Sequence, residues 1–344
     1  MKRINFSKIN HCLIVAEVSA NHCQDLELAI KLVEKAKECG ADAVKFQAYT
    51  PDTLTIDAST KYFRINHPKW GGQSLYQLYK KAYTPWNWFK KLKKRADSLG
   101  LLFFATAYDR SSVDFLQDLG VPLHKVASFE LVDIPLIEYL AKTRKPLILS
   151  TGMASQQEIK DAVNAARGNG TKEIMLLKCV SAYPAKPEDM NLLTIPDLRK
   201  KFQCPVGLSD HTLSTAVAIA SVVLGVKLIE KHFCLSRKYK SADSFFSLEP
   251  EDLKQLVSGV RTAEKSLGKI YYGLTADQKN NRIFRRSLFA IQDIKKGDFF
   301  TENNIQSIRP GFGLAPKYLK EVIGKKAKTS IKRGMPLMES LLGK

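Results

Sequence analysis

The chain has 344 residues, 44% of them hydrophobic, with six cysteines and a formal net charge of +20. That length and apolar share argue against a disordered chain and suffice for one large domain plus a small one. The cysteines (Cys12, Cys23, Cys39, Cys179, Cys204, Cys234) include no C-x-x-C pair, so they read as reduced, mostly buried thiols rather than as disulfides or a thiolate zinc site.

No run reaches the roughly 18 apolar residues of a membrane helix. The apolar stretch 12–15 behind Met1-Lys2-Arg3 is too short for an export signal. A soluble, cytoplasmic protein with no membrane partner is expected. The basic charge raises a nucleic-acid reading. The lysines and arginines are nevertheless spread over several predicted helices (Lys90, Lys91, Lys93, Lys94; Arg199, Lys200, Lys201), with no zinc-finger spacing and no aromatic RNA-binding signature. A solvated basic surface that attracts a small polyanion ranks first, and nucleic acid is a remote second.

In chain order, β-branched runs at 12–20, 43–49, 102–108, 123–128, 146–151, 173–181, 205–210 and 228–233 predict strands. Helix-like stretches such as 25–39, 86–99, 110–119, 155–167, 213–224 and 250–267 separate them. Eight such units over about 270 residues predict a closed (β/α)8 TIM barrel, class α/β, ahead of a doubly wound open sheet, since no G-x-G-x-x-G follows the first strand. Residues 50–84 break the rhythm with Pro51, Pro68, Gly71 and Gly72 and a short helix near 74–82. Following the second strand, this connection is expected over the barrel's C-terminal mouth. The barrel is assigned to 1–272, a polar linker to 273–286, and a small β-rich domain to 287–344, where Gly-rich turns replace long helices.

Barrel enzymes carry their chemistry at the C-terminal ends of strands. His211 closes the seventh strand and His232 the eighth, one repeat apart, so both imidazoles reach one mouth. Two neutral imidazoles suit a borderline divalent ion such as Mn, Zn or Co. Either histidine alone reads as a core residue; the pair favours a metal. Lys45, Lys125, Lys178 and Lys231 each sit in an apolar strand, which points to a bound anion, although some are expected to face the helix layer, Lys231 first. Alternation also sets Lys125 and Ser128 on opposite faces unless the strand ends between them. The hydroxyls Thr106, Ser128, Ser150, Thr151, Ser181 and Ser209 add donors for a phosphate and a carboxylate, though each singly reads as a cap or turn residue. Glu17 and Glu130, carboxylates in apolar surroundings, are the acid–base candidates; Glu17 also reads as an ion-pair partner of Lys45.

These strand ends resemble the sialic acid synthase family. The motifs are Ala16-Glu17-Val18-Ser19-Ala20-Asn21-His22, Val44-Lys45-Phe46-Gln47, Lys125-Val126-Ala127-Ser128-Phe129-Glu130, Ser150-Thr151-Gly152-Met153, Gly207-Leu208-Ser209-Asp210-His211-Thr212 and Glu230-Lys231-His232-Phe233. The tail, with Asp293-Ile294-Lys295-Lys296-Gly297 and Arg309-Pro310-Gly311, is similar to that family's SAF (antifreeze-like) domain. The resemblance implies a TIM barrel, a domain-swapped homodimer, and a divalent cation (Mn, with Mg or Co as alternatives) on His211 and His232. It implies phosphoenolpyruvate contacts at Lys45, Thr106, Lys125, Ser128, Ser150, Ser181 and Ser209. It also implies contacts to an amino-sugar aldehyde at Glu17, Tyr183, Asp243 and the partner's Arg309, with Glu130 beside the reacting carbon.

Two features depart from members that make N-acetylneuraminate: Ser181 in place of asparagine, and Phe129-Glu130-Leu131 in place of a small residue pair after the fourth-strand serine. With Ser74-Leu75-Tyr76-Gln77-Leu78-Tyr79 and Cys179-Val180-Ser181-Ala182-Tyr183-Pro184, they resemble most the pseudaminic acid branch of the family. N-acetylneuraminate or legionaminate synthesis is the alternative within the family. A Schiff-base aldolase using Lys125 or Lys178 is the alternative chemistry.

Overall fold

The computed structural model describes residues 4–343; the basic start Met1-Lys2-Arg3 lies outside them. Eight strands pair in parallel and in chain order, and the eighth closes on the first. They are β1 (Leu13–Glu17), β2 (Ala43–Ala48), β3 (Leu102–Ala107), β4 (His124–Val126), β5 (Leu147–Ser150), β6 (Ile174–Cys179), β7 (Val206–Ser209) and β8 (Leu228–His232). Helix α1 (Leu26–Glu38) follows β1, and α2 (Pro51–Leu54), α3 (Leu75–Ala82) and α4 (Phe89–Ser98) follow β2. Then come α5 (Arg110–Asp118), α6 (Ile134–Lys142), α7 (Gln156–Gly168), α8 (Thr194–Phe202), α9 (Ala216–Val223) and α10 (Pro250–Leu267), one after each remaining strand. This is the TIM barrel.

Local chemistry fixes where the helices begin. Asp25, Asp109 and Ser155 accept hydrogen bonds from first-turn N–H groups of α1, α5 and α7, and Ser155 with Glu158 completes a capping box. α6 begins at Ile134-Pro135 behind the Asp133 cap.

Side-chain parity divides the barrel into two layers. Leu28, Leu32, Val44, Phe46, Phe89, Phe103, Leu149 and Leu176 pack between strands and helices. A smaller cluster (Val15, Ala43, Phe104, Leu123, Ile148, Met175, Leu177, Leu228) fills the barrel, with Phe6 of the N-terminal segment joining it. Continuing the inward parity toward the C-terminal ends gives Glu17, Lys45, Gln47, Thr106, Lys125, Ser150, Cys179, Ser209, Glu230 and His232. The apolar floor therefore turns polar within one or two residues of each strand end.

The chain's contacts divide after Gly268, a few residues before the boundary read at 272. In the second unit, residues 273–286 carry α11 (Ala276–Asn280) and the turn Asn281–Phe284, so the stretch read as a linker is locally structured. Strands β9 (Ser287–Ala290) and β10 (Ile305–Ile308) pair antiparallel. Short bridges and α12 (Leu319–Val322) surround them, over a core of Leu288, Ile294, Phe300, Ile305, Val322 and Leu337.

Candidate active site

A cavity of about 540 Å³ opens at the C-terminal ends of the barrel strands. It is lined by Lys45, Lys125, Ser128, Glu130, Ser150, Cys179, Tyr183, Ser209, His211, Glu230, His232 and Asp243, with a wall from the connection after β2. The expectation that residues 50–84 lie over this mouth is met by Leu54, Ile65, Trp70, Leu75, Leu78, Tyr79 and Ala82.

Two of the four strand lysines face inward. Lys45 Nζ lies 2.8 Å from Glu17 Oε2 and 3.4 Å from Glu230 Oε1, and donates to Thr106 Oγ1 at 3.0 Å. Burial alone would lower the Lys45 pKa, but the two carboxylates outweigh it and raise the pKa, so this side chain stays charged. Lys125 Nζ donates to Ser150 Oγ at 2.7 Å and to the Val126 carbonyl at 3.1 Å. With hydrogen bonds to neutral groups only, its pKa falls through burial, opposed by Glu230. β4 ends at Val126, which is why Lys125 and Ser128 both reach the cavity.

The other two lysines face outward. Lys178 is half-buried, and its ammonium donates to the Cys179 carbonyl at 3.3 Å. Lys231 Nζ lies 3.0 Å from Asp210 Oδ2, both side chains essentially inaccessible, and also donates to the carbonyls of Thr212 and Ser214. Neither belongs to the anion set, so the Schiff-base alternative is narrowed to Lys125.

The hydroxyls converge because a glycine lets them. A Cβ on Gly152 would come within 2.3 Å of Ser181 Oγ and 2.4 Å of Ser128 Oγ, so only a glycine admits this approach. Ser181 Oγ is buried with no hydrogen-bond partner. Ser209 donates to Glu230 Oε1 at 3.3 Å. Thr106 and Glu17 are fully buried beneath the lining, where they hold Lys45. Gln47 donates to Glu17 Oε1 at 3.2 Å.

The carboxylates divide by environment. Burial pushes the Glu130 carboxyl up to about 7, offset in part by its own backbone hydrogen bond and by Lys125; its Oε2 has no hydrogen-bond partner. Burial and the nearby Glu230 charge raise Glu17, against the pull of Lys45. Glu230 moves the other way: burial raises it, but Lys125 and Lys45 hold it below the usual carboxylate range. Asp243 accepts from the Ser19 hydroxyl and the Ala20 N–H, and burial raises its pKa.

The histidine rings lie 5.4 Å apart, centroid to centroid. His211 Nδ1 is 2.8 Å from the Val180 carbonyl, which can only accept, so Nδ1 carries the proton and the Nε2 lone pair is free to ligate. His232 is held neutral, chiefly by burial, and its buried Nδ1 has no hydrogen-bond partner, with Asp243 Oδ2 3.8 Å away. Among the described residues no group of three or more His, Cys, Asp or Glu is placed to hold an ion. An ion here would have at most two protein nitrogens, from His211 and His232, the donor type a borderline divalent ion takes, with its other positions left to oxygen ligands. Tyr183 packs against His211 at 4.4 Å and against Phe246 at 5.0 Å. Arg309 lies in the second unit, exposed just past β10.

The NeuB family model matches residues 32–272, and the SAF domain model residues 285–343. The chain belongs to the NeuB family. It is 41% identical over 336 residues to the pseudaminic acid synthase of Campylobacter jejuni, covering 98% of each chain. It is 43% identical over 325 residues to the pseudaminic acid synthase of Helicobacter pylori, covering 94% of this chain and 96% of the relative. Among solved structures, an N-acetylneuraminic acid synthetase from Leptospira borgpetersenii in complex with citrate superposes with a TM-score of 0.70 at 32% identity, over 79% of this chain and 90% of that one.

In this NeuB-family enzyme, Glu230 and Cys179 stand out among the cavity residues that sequence reasoning passed over. Glu230 was quoted only as part of a motif, and Cys179 was read as core. Cys179 is buried, yet it lines the cavity with Sγ 3.9 Å from His211 Nδ1; burial raises its pKa, but His211, Ser128 and Lys125 bring it down to about 7. Parity held the signal. Once Leu177 is placed inside the barrel, Cys179 must face inward and Lys178 outward, just as Leu228 fixes Glu230 and His232.

Proposed function

We propose that this enzyme condenses phosphoenolpyruvate with 2,4-diacetamido-2,4,6-trideoxy-L-altrose, giving pseudaminic acid and phosphate by C–O cleavage. The observation that carries the reading is the clustering of unpartnered buried atoms beside Lys125. Glu130 Oε2, Glu230 Oε2 and His232 Nδ1, on residues that line this mouth and feel the Lys125 charge, all lack a hydrogen-bond partner, as does Ser181 Oγ at the Gly152 turn. Each such atom costs about 1–3 kcal/mol, so the site is built for a polar ligand that completes them. The likeness to the two pseudaminic acid synthases, together with Phe129 and Ser181, supports the choice of sugar.

Lys125, with Ser128, Ser150, Ser181 and Ser209, binds the phosphate and carboxylate of phosphoenolpyruvate, and Lys45 with Thr106 forms the charged base beneath. His211 and His232 would hold a divalent ion, manganese first with magnesium or cobalt as alternatives, and such an ion supplies Lewis-acid polarisation of the sugar's aldehyde oxygen. Tyr183 and Asp243 orient the sugar so that its aldehyde carbon meets the methylene carbon of phosphoenolpyruvate. The new carbon–carbon bond leaves an oxocarbenium-like centre at the former enol carbon, and water adds there. Glu130, poised near neutrality, takes the water's proton, and phosphate departs with the bridging oxygen. Glu17 is the alternative proton acceptor and acts through Lys45. In a domain-swapped homodimer the partner's Arg309 would bind the sugar's acetamido or hydroxyl oxygens.

The test is phosphate release from phosphoenolpyruvate with a panel of amino-sugar aldehydes, with and without chelator. Release is expected to be fastest with the diacetamido trideoxy sugar, to stop on chelation and to return with manganese. His211→Ala and His232→Ala should each abolish it. Faster turnover of N-acetylmannosamine moves the enzyme to the neuraminate branch. Chelator-resistant activity with a borohydride-trapped adduct on Lys125 replaces the mechanism with a Schiff base.

A further inference from the structure

The sharpest asymmetry in the cavity is between its floor and the connection after β2. The strand ends contribute Lys125, Glu130, Glu230, Asp243 and both histidines. The opposite wall is α3. Its residues Leu75, Leu78, Tyr79 and Ala82 follow the i, i+3, i+4, i+7 spacing of one helix face, and all four line the cavity. Gln77, Lys80 and Lys81 on the other side are exposed, and no α3 residue is fully buried. An apolar stripe on a surface helix ordinarily packs against core; this one faces the space that the substrates enter. Leu54 and Ile65 extend it.

The wall is fixed in place. Ser74 and Gln77 form a capping box that starts α3, and Tyr76 donates to Asp52 at the foot of α2 at 3.0 Å. Trp70 Nε1 donates to the Ala242 carbonyl at 2.7 Å, and its ring lies 5.7 Å from Tyr183 and 5.9 Å from Phe245. The Tyr49 and Tyr79 rings meet edge to face at 5.7 Å. The connection is thus pinned to the loop after β8 that carries Asp243.

We propose that the apolar face of α3, centred on Leu75 and Leu78, is the acceptor-specificity wall, selecting a sugar that presents methyl groups where other acceptors present hydroxyls. This rests on the function proposed above. Phosphoenolpyruvate is small and charged along its length, so it has nothing to cover this face. A 6-deoxy diacetamido sugar offers a C6 methyl and a second acetamido methyl. Leu75, Leu78, Ala82, Leu54 and Ile65 carry no side-chain hydrogen-bonding atom to satisfy an added hydroxyl. Discrimination by an apolar pocket is modest, roughly ten- to a hundredfold in kcat/KM for one such group.

The experiment compares kcat/KM for the 6-deoxy diacetamido sugar, its 6-hydroxy counterpart and its 4-hydroxy counterpart, in wild type, Leu78→Gln, Leu75→Gln, Leu78→Met and Lys80→Gln. The expected result is a wild-type preference of roughly ten- to a hundredfold. It should fall to within about threefold in the glutamine variants and persist in Leu78→Met and Lys80→Gln, with an unchanged KM for phosphoenolpyruvate. Collapse of the 6-position ratio assigns the wall to the C6 methyl; collapse of the 4-position ratio assigns it to the acetamido methyl. Should a glutamine variant not fold, as read from tryptophan fluorescence, Leu78→Ala replaces it, with a several-fold loss of preference expected. Folded variants that keep wild-type ratios at both positions overturn the proposal. A wild-type enzyme that prefers N-acetylmannosamine overturns the sugar assignment instead, a result read from a different column of the same experiment.

Discussion

Lys231→Met should unfold the barrel early and disturb His211 although it touches no cavity residue. Lys231 Nζ and Asp210 Oδ2 lie 3.0 Å apart with side-chain exposures of 1% and 0%. At that separation the attraction is about 5.5 kcal/mol for an effective dielectric near 20, most of it offset by desolvation. Removing the lysine leaves the buried Asp210 carboxylate uncompensated, which costs about 3–5 kcal/mol. The same ammonium also holds the carbonyls of Thr212 and Ser214, and Asp210 Oδ1 accepts from the Thr212 N–H at 2.8 Å, so the turn presenting His211 loosens as well. All three tryptophans (Trp70, Trp86, Trp88) belong to the barrel unit, so their fluorescence reports that unit alone. Its thermal midpoint should fall by roughly 6–20 °C. Adding Asp210→Asn to Lys231→Met removes the stranded charge and should recover more than half of the loss. A single variant within about 1 kcal/mol of wild type, or a double variant no better than the single, would refute the reasoning.

Three further outcomes are expected. Glu130→Gln should lower kcat by about 10²–10⁴ and erase an ascending limb near pH 7, since a base works only when deprotonated. Its folded pKa of about 7 lies above the ordinary glutamate value of 4.5, so native stability falls as pH rises through that window, and the variant should gain up to about 3 kcal/mol at pH 8. His124, buried with both ring nitrogens unpartnered, has its pKa lowered to about 3 by burial and, secondarily, by Lys145. The unfolded chain therefore binds the proton first as pH drops below 6.5; acid should cost several kcal/mol by pH 4, and His124→Leu should flatten that loss in urea titrations. Arg309→Ala should mainly weaken sugar use, and mixing it with His211→Ala should restore part of the activity through mixed dimers. A mixture no better than its parts, with subunit exchange demonstrated, would confine Arg309 to its own surface.

The sequence by itself determined the barrel, because eight alternations of a β-branched run with a helical stretch admit few other folds, and it located the mouth, because His211 and His232 close consecutive units. It also paired Glu17 with Lys45 correctly. Helices α6 and α8, each with a proline in its first turn, went unremarked, because a proline reads as a break in a helical pattern. The sequence grouped four strand lysines and singled out Lys231 as the first to face the helix layer, which it does; tertiary structure turned Lys178 outward as well. Strand parity is relative until one residue is known to lie inside, and a strand as short as β4 ends the alternation between Lys125 and Ser128. Closure of the barrel then decided what no spacing encodes. It set Glu230 of β8 against Lys45 of β2 across the intervening β1, turned Lys231 onto Asp210, and brought Gly152 close enough to let Ser128 and Ser181 meet. Those contacts join residues 21 to about 185 positions apart, and only the folded chain holds such distances to within an ångström.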